Sequence, residues 1–157
     1  MSARGFGTAQ PTAVSFNVIL FALVKCGELQ QATKIYHRML AHGDVQPNVV
    51  TLTSLLKGHC TAGDMGSAHA LLDQMAQEDL RPNTRTLNTF LRGGLWTGDV
   101  DRTASVFKQL CSSKGGRVQP DSTSVDYLLR LLTTSLRLRP RTNTVDVLCS
   151  NWCTREL

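Results

Sequence analysis

The chain lacks any apolar run long enough to cross a bilayer: the longest uncharged one, Val18 to Val24, is far short of the roughly 20 residues that a spanning helix needs. No membrane span is therefore expected. Its five cysteines (Cys26, Cys60, Cys111, Cys149 and Cys153) are odd in number and have no paired spacing, so neither a disulfide framework nor a zinc ribbon is indicated. A reducing compartment is the easier setting. The opening MSARGFGTAQP has one Arg, no acid and no apolar core, so no secretory signal is read there and targeting stays unread. SKGGR at 113 to 117 has neither the length nor the Ser/Thr of a phosphate-binding loop. His59-Cys60 and His69 have no second ligand pair at zinc-like spacing, and no Ser/His/Asp, Cys/His or paired-carboxylate arrangement is visible. We expect no metal, no cofactor and no enzymatic activity.

What is present is the balance of one soluble domain: 157 residues, 41% hydrophobic and 18% charged. The net charge of +5 is unevenly placed. Residues 1 to 83 hold six Lys/Arg and six Asp/Glu, whereas residues 84 to 157 hold eleven and six. Arg130, Arg137, Arg139 and Arg141 lie close together in the basic half, which is compatible with a polyanionic partner and also with an ordinary solvated surface.

The strongest signal is a period. Gly27-Glu28, Gly63-Asp64 and Gly98-Asp99 are 36 and 35 residues apart, and Pro47, Pro82 and Pro120 are 35 and 38 apart. Apolar positions recur in the same register: Phe16, Leu52, Leu87 and Val125; Leu20, Leu56, Leu91 and Leu129; Met39, Met75 and Leu110. A repeat of this length means a solenoid or an array. Spacings of mostly three and four among Val14, Phe16, Ile19, Leu20, Leu23 and Val24 predict a first helix, and a Gly-acid turn predicts its end and the cap of the next. The second helix is expected over Glu28 to Leu40. Each Pro then ends a unit, and the Asn or Asp after it is suited to cap the following helix.

The units read as an N-terminal extension (1–12), repeats at 13–48, 49–83 and 84–121, and a degenerate repeat or C-terminal cap at 122–157. In the last unit Pro140 precedes an amphipathic segment with Val145, Leu148, Cys149 and Trp152. Gly93 and Gly98 fall in small-residue columns, whereas Gly94, inside a predicted helix, has no sequence explanation.

A helical hairpin of about 35 residues that ends in Pro-Asn or Pro-Asp, with a Gly-acid turn and a Met near the end of the second helix, resembles the pentatricopeptide repeat. The resemblance covers roughly residues 13 to 136, and VVTLTSLLKGHCTAGDMGSAHALLDQMAQEDLRPN is its clearest unit. The tetratricopeptide repeat fits less well, because Trp96 and Trp152 occupy no repeating column. The resemblance implies an all-α, right-handed superhelix of stacked helix-turn-helix hairpins that binds single-stranded RNA at about one base per repeat.

Carried over residue by residue, the family's base-reading pairs are Asn17 with Asn48, Thr53 with Asn83, and Asn88 with Asp121, implying pyrimidine, adenine and uracil from 5′ to 3′. Asn17, Thr53 and Asn88 would lie on the concave face. Val14 and Val50 stand where the family wedges bases apart; the third unit has Arg85 there and the fourth Thr123. Asp126 holds the reader column of the fourth unit, which is expected to read nothing. Arg85, Arg130, Arg137, Arg139 and Arg141 are candidate phosphate contacts. The same Asn, Thr and Asp residues are also ordinary helix caps. Two roles follow from the resemblance: an RNA-binding protein acting on organellar RNA, or a subunit of a mitochondrial ribosome or other large organellar complex that contacts rRNA and protein. Either implies a mitochondrion or a plastid.

Overall fold

The computed structural model describes residues 12–43, 45–112 and 118–138, apart from the side chains of His42 and of 135–138. Every regular element among them is a helix. α1 (Ala13–Lys25) with α2 (Leu29–His42), α3 (Val49–Thr61) with α4 (Met65–Gln77), and α5 (Thr84–Thr97) with α6 (Val100–Ser112) form three hairpins, and α7 (Ser122–Leu138) follows them. The odd-numbered helices make one continuous row, α1 against α3, α3 against α5 and α5 against α7, while each even-numbered helix packs on its own partner and on the next odd-numbered one. The fold is an all-α solenoid. Residues 1–11 of the N-terminal extension, residues 113–117 and the segment with Pro140, Val145, Leu148, Cys149, Trp152 and Cys153 lie outside the described residues.

The Gly-acid turns work through backbone geometry. Gly27, Gly63 and Gly98 have φ of 81°, 78° and 72°, the left-handed region that costs other L-residues energy. That turn lets the following N–H reach back into the helix: Glu28 donates to the Leu23 carbonyl at 2.9 Å, and Asp64 to that of His59 at 2.9 Å. The acid then caps the next helix only when it is Asp. Asp64 accepts from the Ser67 N–H at 3.0 Å and Asp99 from that of Arg102 at 3.3 Å. Glu28 makes no side-chain cap, contrary to the sequence expectation; its longer side chain instead accepts from Gln31 at 3.3 Å. The second helix accordingly starts one residue later than expected and ends two residues later.

The core follows the columns through the three hairpins: Leu20, Leu56 and Leu91 are buried in equivalent places, as are Leu52 and Leu87, Met39 and Met75, and Phe16 at the edge of the core, whereas Leu129, in the same column on α7, is exposed. Of the apolar residues that marked α1, Val14 and Ile19 are exposed, because Phe16, Leu20 and Val24 suffice to cover the face packed inward.

The glycines inside α3 and α5 mark close approaches. A Cβ on Gly58 would stand 2.6 Å from Leu29 and 3.2 Å from Val24, and one on Gly93 would stand 2.7 Å from Cys60. These are corresponding contacts one repeat apart. Gly94 has a different reason: a Cβ there would collide with the Thr103 side chain of α6. Thr103 stands in the column where the earlier hairpins bury Ala32 and Ala68, and Gly94 in that of Leu23 and His59. The third hairpin has exchanged bulk between its two helices, which is why a helix interior tolerates the pair Gly93-Gly94.

Gly94→Ala is expected to lower unfolding free energy by about 1–3 kcal/mol or more, the usual range for overpacking a filled core. Gly66→Ala, whose Cβ would meet nothing closer than 3.5 Å, is expected to be neutral or to stabilise by up to about 1 kcal/mol. Urea midpoints at unchanged slope measure both; equal midpoints for the two variants would contradict the packing account.

Candidate nucleic-acid interface

Three side chains recur at every seam of the odd-numbered row. The first is the residue after Pro, at the helix cap: Asn48, Asn83 and Asp121 accept from the backbone N–H groups of Thr51, Thr86 and Ser124 at 3.0, 3.0 and 2.8 Å. The second is the hydroxyl of that third helical residue. Thr51, Thr86 and Ser124 each return a bond to the backbone N–H of the cap residue, at 3.1, 3.5 and 3.2 Å. The third comes from the preceding odd-numbered helix, and it is Asn17, Thr53 or Asn88.

The hydroxyl joins all three. Thr51 Oγ1 lies 2.6 Å from Asn17 Oδ1 and 3.2 Å from Asn48 Oδ1. A hydroxyl has one proton, so the shorter contact takes it, and Asn17 Nδ2 then closes the circuit by donating to Asn48 Oδ1 at 3.4 Å. The third seam has the same direction: Ser124 Oγ to Asn88 Oδ1 at 2.5 Å, and Asn88 Nδ2 to the Asp121 carboxylate at 3.0 and 3.2 Å. In the second seam Thr86 Oγ1 lies 3.2 Å from Asn83 Oδ1 and 2.8 Å from Thr53 Oγ1. Either hydroxyl can donate in the shorter bond; when the Thr86 proton goes to Asn83, Thr53 donates and its oxygen keeps acceptor capacity.

The structure therefore brings together Asn17 with Asn48 and Asn88 with Asp121 directly, and Thr53 with Asn83 through Thr86. It also makes Asn48, Asn83 and Asp121 helix caps, so capping and base reading are not alternatives. Each Asn amide on the preceding helix uses one of its two N–H donors and one of its two lone pairs within the seam, which leaves one donor and one acceptor side by side. Thr53 differs from what its polarity implied, being only 8% exposed. The bridging hydroxyls themselves escaped the sequence reading, although Asn48-x-x-Thr51, Asn83-x-x-Thr86 and Asp121-x-x-Ser124 recur in register with the prolines.

The seams open on two adjoining clefts. One, of about 480 Å³, is lined by Val14, Asn17, Asn48, Val50, Thr53 and Asn83 among others; the second holds Asn88 and Asp121; Lys57, Arg85 and Thr89 border both. Their cations are a second finding. Lys57 has its pKa lowered by burial first and then by Lys25, Arg92 and Arg85, so four cations from α1, α3 and α5 share one field. The first half of the chain is neutral in sum, yet two of these four belong to it. Lys57 and Arg92 occupy one column, five residues past Leu52 and Leu87, and reading charge in register rather than by halves would have found them.

Of the phosphate candidates, Arg85 borders both clefts, and Arg130, of the same column as Lys57 and Arg92, is ion-paired with Asp126 at 2.9 Å. That pairing neutralises both. The side chain of Arg137, and Arg139 and Arg141 altogether, lie outside the described residues. Elsewhere His59 and His69 sit 3.3 and 3.1 Å from Asp64 and Asp73, and among the described residues no cluster fits a metal ion. Burial pushes the Cys60 thiol up to about 12, which keeps it protonated and inert.

A profile of the PPR repeat family matches residues 11–60 and 47–95. Among curated proteins, a pentatricopeptide repeat-containing protein of Arabidopsis thaliana is 35% identical over 66 residues, which are 42% of this chain and 7% of that protein. The match thus spans a small part of its relative's length. Among solved structures, the PPR domain of Arabidopsis thaliana protein-only RNase P 1, in complex with tRNA, superposes with a TM-score of 0.68 at 19% identity, covering 94% of this chain and 83% of that one. PPR10 in complex with an 18-nt psaJ RNA element gives 0.69 at 20% identity, covering 96% and 23%. PPR10 from maize gives 0.65 at 22%, covering 81% and 19%.

Two predictions follow from the seam chemistry. Thr86→Val leaves the buried Thr53 hydroxyl without its hydrogen-bond partner and is expected to cost about 1–3 kcal/mol, whereas Thr53→Val with Thr86→Val removes both partners and should cost less than the sum of the single changes. A double-mutant cycle from urea melts measures the coupling, and strict additivity would exclude the shared bond. The second concerns acid. Bonds from Asn88 and then Ser124 hold the Asp121 carboxyl below its ordinary value. Its stabilising contribution is therefore present above the unfolded pKa of about 3.9 and is lost as pH falls through the lower folded value. Asp121→Asn should flatten the decline in unfolding free energy below about pH 4, as read from melts between pH 2 and 7.

Proposed function

The chain belongs to the pentatricopeptide repeat family, and from that premise we propose that it binds single-stranded RNA along the odd-numbered helices, with the three seams as successive base-reading sites. The observation that carries this reading is that each seam holds its two polar side chains in contact, or joined by one hydroxyl, on a face that cations line. Two structurally similar proteins, the PPR domain of RNase P 1 and PPR10, were solved with tRNA and with an RNA element bound, which supports a nucleic acid as the occupant.

The pairs Asn17–Asn48, Thr53–Asn83 and Asn88–Asp121 read pyrimidine, adenine and uracil in 5′ to 3′ order. Donor and acceptor chemistry fits the last assignment, since a carboxylate beside an amide N–H offers an acceptor and a donor to the N3–H and carbonyl edge of uracil. Val14 and Val50, both exposed at the cleft rim, flank the first two bases. Lys57, Arg85 and Arg92 meet the phosphates; Arg130 contributes little because Asp126 already neutralises it. The RNA is organellar, in a mitochondrion or a plastid, and the protein acts on its processing, stability or translation without itself cleaving it.

Stacking contributes about 1–3 kcal/mol per base, so these three seams by themselves give a modest affinity and act within something larger, whether a longer repeat array, an RNA already held in place or a protein complex. Fluorescence anisotropy with short single strands tests the reading. The pyrimidine-adenine-uracil core should bind more tightly than its scramble at physiological salt, because base contacts discriminate and phosphate contacts do not. Asn88→Thr with Asp121→Asn copies the second seam into the third and should move the third preference from uracil to adenine while keeping a helix cap. Lys57→Glu with Arg92→Glu should weaken all sequences alike and flatten the salt dependence by about 0.7 per lost phosphate contact. Binding without preference that the seam exchange leaves unchanged would favour a subunit of an organellar ribonucleoprotein held in place by its assembly.

A further inference from the structure

Phe21 breaks the column to which it belongs. Later units place Lys57, Arg92 and Arg130 at that position on the odd-numbered helices, whereas α1 presents an aromatic ring that is 40% exposed. Cations attend it all the same: Lys57 Nζ lies 5.2 Å and Lys25 Nζ 5.8 Å from the ring centroid. Val14 and Val18, the most exposed large apolar residues of α1, continue the apolar surface, and Asn17 with Asn48 borders it in the same cleft. No acidic residue lines that cleft among the described residues. An exposed flat ring ringed by ammonium groups is mismatched to an apolar protein face, which would desolvate the charges. A nucleotide matches both parts, its base to the ring and its phosphate to the lysines.

We propose that Phe21, with Lys25 and Lys57, is a stacking platform for one further nucleotide on the 5′ side of the triplet, accepted whatever its base. This rests on the RNA-binding reading above and extends it from three read bases to four bound ones. Base identity is not selected because every base has a π-face, while the lysines hold the adjoining phosphate. α1 thus carries both Asn17 of the first reading pair and a platform that holds a neighbouring nucleotide without reading it.

The test is anisotropy with the core RNA carrying one 5′ nucleotide, each base in turn, and with an abasic nucleotide at that place. Phe21→Ala is expected to weaken the four extended RNAs by a common factor, on the order of ten-fold, and to leave the abasic strand bound as by the unchanged protein. Phe21→Leu keeps apolar bulk without a π-face and should behave as Phe21→Ala, while Phe21→Trp should restore affinity. Unfolding midpoints of the variants, expected to match because Phe21 lies outside the core, separate binding from stability. The platform is excluded if Phe21→Ala changes nothing, if it weakens the abasic strand equally, or if Phe21→Leu binds as the unchanged protein does. An unchanged protein that binds RNA with no core preference, yet shows the Phe21 pattern, would discard the base-reading pairs and keep the platform. Failure to bind any RNA would discard both.

Discussion

The stack depends on one hydroxyl per seam. Thr51, Thr86 and Ser124 sit at the third position of a helix, where an N-terminal N–H needs a partner from outside the helix, and the cap residue before them supplies it. That local demand would be met in an isolated helix. What makes it a tertiary contact is that the hydroxyl also reaches the preceding odd-numbered helix, at Asn17, Thr53 and Asn88. Apolar columns give the solenoid most of its cohesion, but they tolerate sliding. A directional bond recurring at each seam fixes the register between neighbours, so the polar pairs fall at repeating positions along one face.

That arrangement removes an apparent choice. The Asn and Asp residues after each proline can be explained as caps, and as caps alone they would carry no functional meaning. The geometry shows that capping uses the side-chain oxygen of Asn48 and Asn83 and leaves the Nδ2 groups with no partner among the described residues. A cap held by its oxygen has its amide orientation determined, which is the preorganisation that a base reader requires. Capping therefore draws on the oxygen of each side chain, and the proposed reading would draw on its amide nitrogen. The consequence is a coupling, because a substitution that alters the reading edge also alters the seam unless the new residue can cap.

The period, the hairpins and the polar columns were legible because each is a one-dimensional regularity: helix ends are marked by Gly and Pro, and the columns by what recurs at about 35 residues. What was not legible involved pairs of columns. Gly94 makes sense only beside Thr103, since the exchange of bulk lies between two helices. Thr53 looked like Asn17 and Asn88, but its shorter side chain is almost buried and its hydroxyl is bonded to Thr86, so only its edge reaches the cleft. Arg130 looked like a free cation until its neighbour one turn earlier, Asp126, was seen to pair with it. Lys57 and Arg92 were readable in principle, and summing charge over halves concealed them. Glu28 and Asp64 share a column, yet one added methylene separates a side chain that caps from one that does not.

The charge distribution then bears on how the seams could discriminate. Four cations within one field are mutually repulsive, and Lys25, Arg92 and Arg85 add to the burial that first lowers the Lys57 pKa. Such a cluster favours the stack least when the face is empty and most when an anion lies on it. It attracts any polyanion, so it contributes affinity and rate rather than identity. On the proposed reading, identity comes from the uncharged edges of Asn17 and Asn88 and from the acceptor of Asp121, which the hydroxyl circuits hold in place. Asp121 is the informative case: it places a negative charge beside Arg85 and Arg92 in the second cleft, where a pure phosphate-binding surface would have none. A carboxylate kept ionised by Asn88 and Ser124 costs some attraction for the backbone in exchange for an acceptor of fixed direction. On the proposed reading, Asp121 gives one seam selectivity and reduces the unselective attraction of the face.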